Sequence, residues 1–83
     1  MMMEARDAIR AILKSFRDVW GWTWENDRVH GGVILTVYMM GGEQVHIHFR
    51  SERTFALLTE AQQRAWLYDR IVDGLEDRKH GII

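Results

Sequence analysis

The sequence predicts an α+β domain of order α-β-β-β-α, in which a three-stranded antiparallel meander has two helices packed on one face. Apolar residues recur at helical spacing near both ends of the chain, which predicts the two helices. Between them, three β-rich runs are separated by two Gly-Gly pairs, a pattern typical of hairpins. With 83 residues there is room for one hydrophobic core, so we expect a single domain over residues 1–83.

The composition excludes several classes of protein. A hydrophobic fraction of 47% favours a folded core over disorder, and the absence of cysteine excludes disulfides and thiolate zinc sites. The longest apolar run is too short to span a membrane, and the first residues lack the apolar segment of a signal peptide. We therefore expect a cytoplasmic protein without a membrane partner. The net charge of −1 indicates no general attraction to nucleic acid.

The first helix is predicted over residues 4–20, and Gly21 is the expected C-terminal stop. Its apolar face consists of Ala5, Ala8, Ile9, Ile12, Leu13, Phe16, Val19 and Trp20. Beside that face runs a basic stripe, which consists of Arg6, Arg10, Lys14 and Arg17. The stripe is either a solvated flank, as on most surface helices, or a contact for an acidic partner.

The first strand is predicted from a tryptophan-rich segment, with Trp22 and Trp24 on one face because strand side chains alternate. A glycine pair at residues 31–32 marks the next reversal of the chain. The register of this hairpin stays open at this point. An even loop would place Trp24 beside Met39, and an odd loop would place it beside Tyr38.

The second hairpin is predicted to turn through the three residues 40–42, because this loop separates apolar from polar side chains. A two-residue loop would set Val37 against His46 and would mix the two faces. The three-residue loop also supplies the glycine that its left-handed position requires. The cross-strand pairs that it predicts are Val37 with Val45, Leu35 with Ile47, Val33 with Phe49, Thr36 with His46, and Ile34 with His48.

Residues 51–54 are expected to form a short charged connector after the last strand. The last helix is predicted to begin after Thr59, whose spacing to Gln62 is that of a capping box, and to run to about Lys79. Gly81 is expected to end it. Its expected buried face consists of Ala61, Ala65, Leu67, Tyr68, Ile71, Val72 and Leu75. Trp66 falls on the opposite side of the helical wheel, among charged residues. This placement favours an interface anchor, and the alternative is that the indole covers a neighbouring loop or the other tryptophans.

Motifs for chemistry are scarce in this sequence. His46 and His48 share one strand face, which is half of a metal site, but spacing establishes no third ligand. We interpret them as half-exposed surface histidines and expect no metal. The sequence contains no nucleophile elbow, no phosphate loop and no cofactor motif. We therefore expect neither an enzyme nor a cofactor.

The order α-β-β-β-α is similar to that of double-stranded RNA-binding domains. That family has a histidine in the loop between its first two strands, and His30 occupies a comparable loop here. The resemblance implies binding to nucleic acid. The family also has a lysine-rich entry to its last helix, whereas residues 58–63 of this chain read Leu-Thr-Glu-Ala-Gln-Gln. The main phosphate-binding element is therefore missing, and the resemblance covers the topology alone.

These observations favour a small, non-enzymatic protein–protein interaction module that forms a homodimer. A phage or mobile-element inhibitor of a host protein is one form that such a module takes. The expected interface residues are Trp66, Asp69, Arg70, Asp73, Tyr38, His46 and His48. The alternative is a nucleic-acid-binding domain that combines the aromatic sheet face with the basic first helix. Its contacts would be Arg6, Arg10, Lys14 and Arg17.

Overall fold

The computed structural model describes the backbone of residues 5–80 and the side chains of residues 5–76. The elements in chain order are α1 (Ala5–Lys14), β1 (Val19–Asn26), β2 (Val33–Met39), β3 (Gln44–Phe49), α2 (Glu52–Ala56) and α3 (Glu60–His80). The predicted α-β-β-β-α order is confirmed, with the short helix α2 added where a charged connector was expected. Gly81, the predicted end of the last helix, lies outside the described residues.

The three strands form an antiparallel sheet in the order β1-β2-β3. The predicted register of the second hairpin is confirmed, since Val37 lies opposite Val45 and Leu35 lies opposite Ile47. The three-residue loop is closed by a hydrogen bond of 2.9 Å from the Met39 amide to the Glu43 carbonyl. Gly42 has a φ of 92°, which a residue with a side chain adopts only under strain.

The first hairpin pairs in neither of the two registers considered above. Trp24 lies opposite Leu35, because β1 continues to Asn26 and the connection to β2 occupies residues 27–32. A β-bulge interrupts the start of the ladder between Val19 and Gly21. Trp20 is the extra residue of this bulge. Its side chain consequently leaves the face shared by Trp22 and Trp24.

Helix α1 is shorter than predicted, and the assignment of residues 15–20 to it is wrong. Its last turn closes with a hydrogen bond of 3.0 Å from the Ser15 amide to the Ile12 carbonyl. The Ser15 hydroxyl donates to the same carbonyl at 2.6 Å, which competes with continuation of the helix. Val19 then pairs with Met39 in the sheet. Strand pairing therefore overrides a helical pattern that the apolar spacing alone would extend.

Helix α3 begins with the predicted capping box. The Gln62 amide donates to the Thr59 hydroxyl at 3.2 Å, and the Thr59 amide donates to the Gln62 side-chain carbonyl at 2.9 Å. The side-chain amide of Gln63 donates to the Phe55 carbonyl at 3.1 Å. This bond satisfies a polar group inside the protein and joins α3 to α2.

Both long helices pack on one face of the sheet, as predicted. Helix α1 contributes Ile9, Ile12 and Leu13 to the core, and α3 contributes Leu67 and Ile71. The sheet and α2 supply the other buried apolar side chains, which are Val33, Leu35, Val37, Met39, Val45, Ile47, Phe49 and Phe55. The opposite face of the sheet carries no helix of the described chain.

The prediction that Trp66 faces away from the core is wrong. Its ring lies 5.1 Å from that of Phe49 and 5.8 Å from that of Phe55, measured between centroids. The buried face of α3 is centred on Leu67, with Gln63 and Ile71 one turn away on either side. Ala61, Ala65 and Tyr68 were assigned to that face but are exposed. Gln63 is buried and Tyr68 is exposed. The buried face of α3 is therefore displaced around the helix axis from the face that its apolar residues predicted.

We expect Trp66→Ala to lower the free energy of unfolding by about 3 kcal/mol, because it removes an aromatic side chain that packs on two others. Denaturant unfolding is the measurement. Trp20→Ala is the matched control, measured at a protein concentration at which the protein is monomeric, and its loss should stay below about 1 kcal/mol because Trp20 is mostly exposed. Equal losses in the two variants would contradict the packing described here.

We expect Gly74→Ala to destabilise the protein by about 1–3 kcal/mol, although alanine is the better helix former. A Cβ at residue 74 would lie 2.6 Å from the Cγ1 atom of Val45, inside van der Waals contact. Denaturant unfolding measures the loss. The double variant Gly74→Ala, Val45→Ala should lose less stability than the sum of the two single variants. Strict additivity would show that α3 does not depend on this close approach.

Candidate binding surfaces of the sheet

The uncovered side of the sheet, called here the open face, presents one set of alternating side chains from each strand. The ladder places Thr23, Thr36 and His46 in one row across the three strands. Tyr38 and Gln44 continue that face toward the β2–β3 loop, and Ile34 and His48 continue it toward the β1–β2 loop. Tyr38, His46 and His48 therefore share a surface, as predicted.

An aromatic pair occupies the end of the open face near the β2–β3 loop. The rings of Trp20 and Tyr38 lie 5.3 Å apart with 31° between their planes. The bulge turns the indole outward, so that 64% of Trp20 is exposed. The hydroxyl groups of Tyr38 and Thr23 lie within hydrogen-bonding distance, at 3.2 Å, which orients the phenol. Met40, in the adjoining loop, is also highly exposed.

A polar cluster occupies the other end of the open face. Nε2 of His48 lies 2.9 Å from the Gly31 carbonyl and 3.2 Å from Oδ2 of Asp27. Both partners are acceptors, so this nitrogen carries a proton and donates. Nδ1 of His30 lies 3.3 Å from the same carboxylate oxygen. Asp27 thus ties the β1–β2 loop to the edge strand β3.

The Asp27 carboxylate also organises its own loop. Its Oδ1 atom accepts hydrogen bonds of 3.0 Å from the backbone amides of His30 and Val29. The bond from the His30 amide, followed by that from Val29 and by the charge of a nearby imidazole, holds the pKa of Asp27 below its ordinary value of 3.8. The loop is therefore built around a carboxylate that stays ionised at neutral pH.

A shallow cavity of about 550 Å³ lies beside this cluster. It is lined by Asp27, His30, Ile34, His46, His48 and Arg50. Nδ1 of His46 lies 3.0 Å from the Thr36 hydroxyl, which positions one imidazole. Among the residues that the structure describes, no three His, Cys, Asp or Glu side chains are arranged to hold a metal ion. The cluster is thus a hydrogen-bonding surface.

The basic stripe of α1 lies on the other side of the molecule from the open face. Ile9, Ile12 and Leu13 turn toward the sheet, so the exposed Arg10 and Lys14 point out from the helix layer. Arg17 is exposed in the turn that follows.

Arg6 is engaged within the protein. Its Nε donates to the Glu52 carboxylate at 3.0 Å, and its guanidinium carbon lies 4.7 Å from the ring centre of Trp24. Because the basic stripe and the open face lie on opposite sides of the molecule, a ligand on the open face does not contact the stripe directly.

The structure brings together two predicted interface residues that the sequence did not connect. Trp66 and His48 both line a cleft of about 420 Å³ where β3 ends against α2 and α3. The other lining residues are Phe49, Arg50, Ser51, Thr54, Phe55 and Leu58.

Phe55 and Leu58 were not predicted as site residues, because residues 51–54 were expected to form a connector and not the start of a helix. The sequence signal for α2 is Ser51 directly before Glu52, since serine before a helix and an acidic residue in its first turn are typical of helix N-termini.

The charged residues predicted beside Trp66 are all exposed on α3. Asp69 makes no ion pair among the described side chains, whereas Arg70 and Asp73 form one of 3.1 Å. The Arg70 guanidinium also lies 5.8 Å from the ring centre of Trp66. Of these residues, Arg70 therefore lies beside the indole, which is partly buried rather than exposed.

Comparison with known proteins adds no assignment to this geometry. No family model, no curated protein sequence and no solved structure matches the chain. No helix within residues 5–80 combines the length and apolar character needed to cross a bilayer. The likeness to double-stranded RNA-binding domains remains one of element order.

The stability of the β1–β2 loop should depend on pH through Asp27. A carboxyl group whose pKa is lowered by folding stabilises the folded state above its unfolded pKa, and this stabilisation is lost as pH falls through the folded pKa. We expect the wild type to be more stable than Asp27→Asn near about pH 6, and the difference to shrink as pH falls below the ordinary pKa of 3.8. Thermal unfolding of both proteins across this range is the measurement.

Asp69→Asn serves as the control for this experiment, because Asp69 is exposed and has no ion pair among the described residues. Its difference from the wild type should stay small at every pH. A difference for Asp27→Asn that does not shrink at all as pH falls below 3.8 would show that the carboxylate charge does not stabilise the loop.

Proposed function

We propose that this protein is a non-enzymatic protein–protein interaction module that forms a homodimer through the open face of its sheet. The observation that carries the proposal is the pair of exposed Trp20 and half-buried Tyr38 on a sheet face that no described element covers. Exposed tryptophan and tyrosine are enriched among the residues that dominate binding energy at interfaces. A domain this small also gains stability when association buries more apolar surface.

The bulge at Trp20 supports this role more strongly than its exposure alone. Regular alternation would place Trp20 with Trp22 and Trp24 on the face that packs against the helices. The bulge instead directs the indole outward, and bulges commonly re-aim a side chain at a functional site. Folding thus leaves the large apolar side chain of Trp20 exposed to water, and formation of an interface would bury it.

The polar half of the open face complements the aromatic half. His46 is positioned by Thr36, and His48 is positioned by Gly31 and Asp27. Such prearranged donors and acceptors contribute specificity to an interface at a small cost in conformational entropy. An apolar centre near Trp20 with a polar border at the histidines is the usual arrangement of a protein interface.

The biological setting is proposed on more general grounds. The cysteine-free sequence is compatible with a cytoplasmic protein. Inhibition of a host protein, as by a small phage or mobile-element protein, is a special case of the proposed binding. The support for that case is the small size of the chain alone.

Nucleic acid is the second candidate partner, and a specific observation favours it. Arg50, His46 and His48 lie on the open face with the Trp20–Tyr38 pair, and aromatic rings beside basic groups bind single-stranded nucleic acid. The version that combines the sheet face with the basic stripe has less support, because the two lie on opposite sides of the molecule. The net charge of −1 also weakens this candidate.

We expect Trp20→Ala to weaken self-association at least tenfold, by about 1.4 kcal/mol or more, because it removes the proposed apolar centre. Sedimentation equilibrium over a range of protein concentrations measures the effect. Leu57→Ala is the matched control, since Leu57 is highly exposed at the end of α2 and lies off the open face.

A wild-type protein that stays monomeric at high concentration would contradict the proposed homodimer. The same sedimentation experiment with a single-stranded oligonucleotide added tests the second candidate. Cosedimentation of the wild-type protein with the oligonucleotide that is lost in Trp20→Ala would show that nucleic acid is the partner of the open face.

A further inference from the structure

A second surface, separate from the aromatic pair, lies along the free edge of β3. The bond from the Met39 amide to the Glu43 carbonyl shows that Glu43 faces β2. Because backbone groups alternate in an antiparallel ladder, those of Gln44, His46 and His48 point away from the sheet. None of these has a backbone partner among residues 5–80.

This edge lacks the features that usually prevent another strand from pairing. Strand β3 is regular over its six residues and contains no proline, lysine or bulge. The opposite edge of the sheet, β1, is interrupted by the bulge at Trp20 and carries Glu25. The two edges therefore differ, because β3 is regular along its whole length whereas β1 is interrupted by a bulge near its start.

The cleft beside Trp66 lies at the C-terminal end of the same edge. Its apolar walls come from Phe49, Phe55, Leu58 and Trp66, and Ser51 and Thr54 lie at its border. A strand added to β3 would direct alternate side chains toward the helix layer, where the cleft opens. One bulky apolar side chain of the added strand would therefore meet these walls.

The charges along the edge indicate what the other side chains of an added strand should be. His46, His48 and Arg50 follow one another at alternate positions, so they lie on the same side of β3. Arg50 is exposed and has no ion pair among the described residues. Acidic side chains on that side of the added strand would complement this basic column.

We propose that the β3 edge and the adjoining cleft bind an extended peptide segment in which apolar and acidic residues alternate. The segment adds to the sheet as a fourth strand, with acidic side chains along His46, His48 and Arg50. Its apolar side chains lie toward α3, and one of them enters the cleft beside Trp66. Main-chain hydrogen bonds then supply affinity, and the alternation of side chains supplies specificity.

The position of α3 favours a peptide over a second copy at this edge. Gly74 of α3 lies against Val45, and Trp66 lies against Phe49, so the helix runs directly above the edge strand. Antiparallel pairing of β3 with β3 of another copy would place both α3 helices on the same face, about 5 Å apart, whereas packed helices need about 8–10 Å. A peptide has no helix to collide with α3.

The probe is a fluorescein-labelled peptide of about eight residues in which Glu and Val alternate, and its binding is followed by fluorescence anisotropy. A peptide of the same composition with its Glu and Val residues in separate blocks is the sequence control. We expect the alternating peptide to bind at least about tenfold more tightly. Absence of binding by the alternating peptide, or equal binding by both peptides, would overturn the proposal.

Backbone methylation tests the strand pairing directly. The outward backbone groups of β3 belong to Gln44, His46 and His48, whose side chains lie on the open face. Residues directly opposite them in an antiparallel pair share that face, so the Glu amides of the peptide should point at β3. Methylating the Glu amides should abolish binding, and methylating the Val amides should leave it nearly unchanged. The reverse result would overturn the predicted arrangement.

A charge exchange tests the basic column on the intact protein. Arg50→Glu should weaken the Glu–Val peptide about tenfold and should strengthen binding of the corresponding Lys–Val peptide. Arg10→Glu makes the same charge change on the outer side of α1 and should alter neither affinity. Equal effects of the two variants would show a general charge effect and would overturn the proposed site.

Leu58→Ala removes part of one apolar wall of the cleft and leaves the open face unchanged. This variant should weaken binding of the Glu–Val peptide, whereas self-association, measured by sedimentation, should stay unchanged. Loss of self-association instead would assign the edge to a second copy and overturn the peptide proposal. Trp20→Ala should leave peptide binding intact, so this inference and the proposed homodimer can fail independently.

Discussion

The pairing of β2 with β3 determines the faces of the whole structure. Because side chains alternate along a strand, a shift of one residue would exchange the buried Val45, Ile47 and Phe49 for the polar residues between them. Gly42 holds the register by adopting a left-handed conformation in the three-residue loop. The core on one side and the histidines on the other are two consequences of the same turn.

The aromatic cluster around Phe49 transmits that register to the helices. Phe49 contacts Trp24 of β1, Phe55 of α2 and Trp66 of α3, with centroids 5.1–6.0 Å apart. One strand residue thus joins the second sheet edge, the short helix and the long helix. The cleft at the end of β3 exists because these large rings meet at angles and do not fill the corner between the elements.

The two proposed binding surfaces differ in their physical character. The open face offers exposed side chains, with an aromatic pair at one end and histidines ordered by Thr36 and Asp27 at the other. The β3 edge offers main-chain groups beside an apolar cleft. The first suits a broad protein surface, and the second suits an extended segment. Both proposed surfaces include His46 and His48.

Short-range patterns were sufficient for the features that depend on neighbouring residues. The register of the second hairpin follows from alternation and from the placement of glycine, and the start of α3 follows from the spacing of Thr59 and Gln62. The candidate site was predictable to the same extent. Tyr38, His46 and His48 share the open face because their strands pair in that register. Each of these features involves few residues, so competing arrangements were easy to exclude.

The remaining features depend on contacts between distant parts of the chain. Trp20 fits a helical pattern, but pairing of Val19 with Met39 draws it into the sheet, and the bulge then exposes it. The rotation of α3 is set by Gln63, which bonds the Phe55 carbonyl, and by Trp66, which packs on Phe49. A helical wheel predicts an exposed Trp66, because it considers only the residues of α3. In the fold, Trp66 packs on the rings of Phe49 in β3 and Phe55 in α2 and is partly buried.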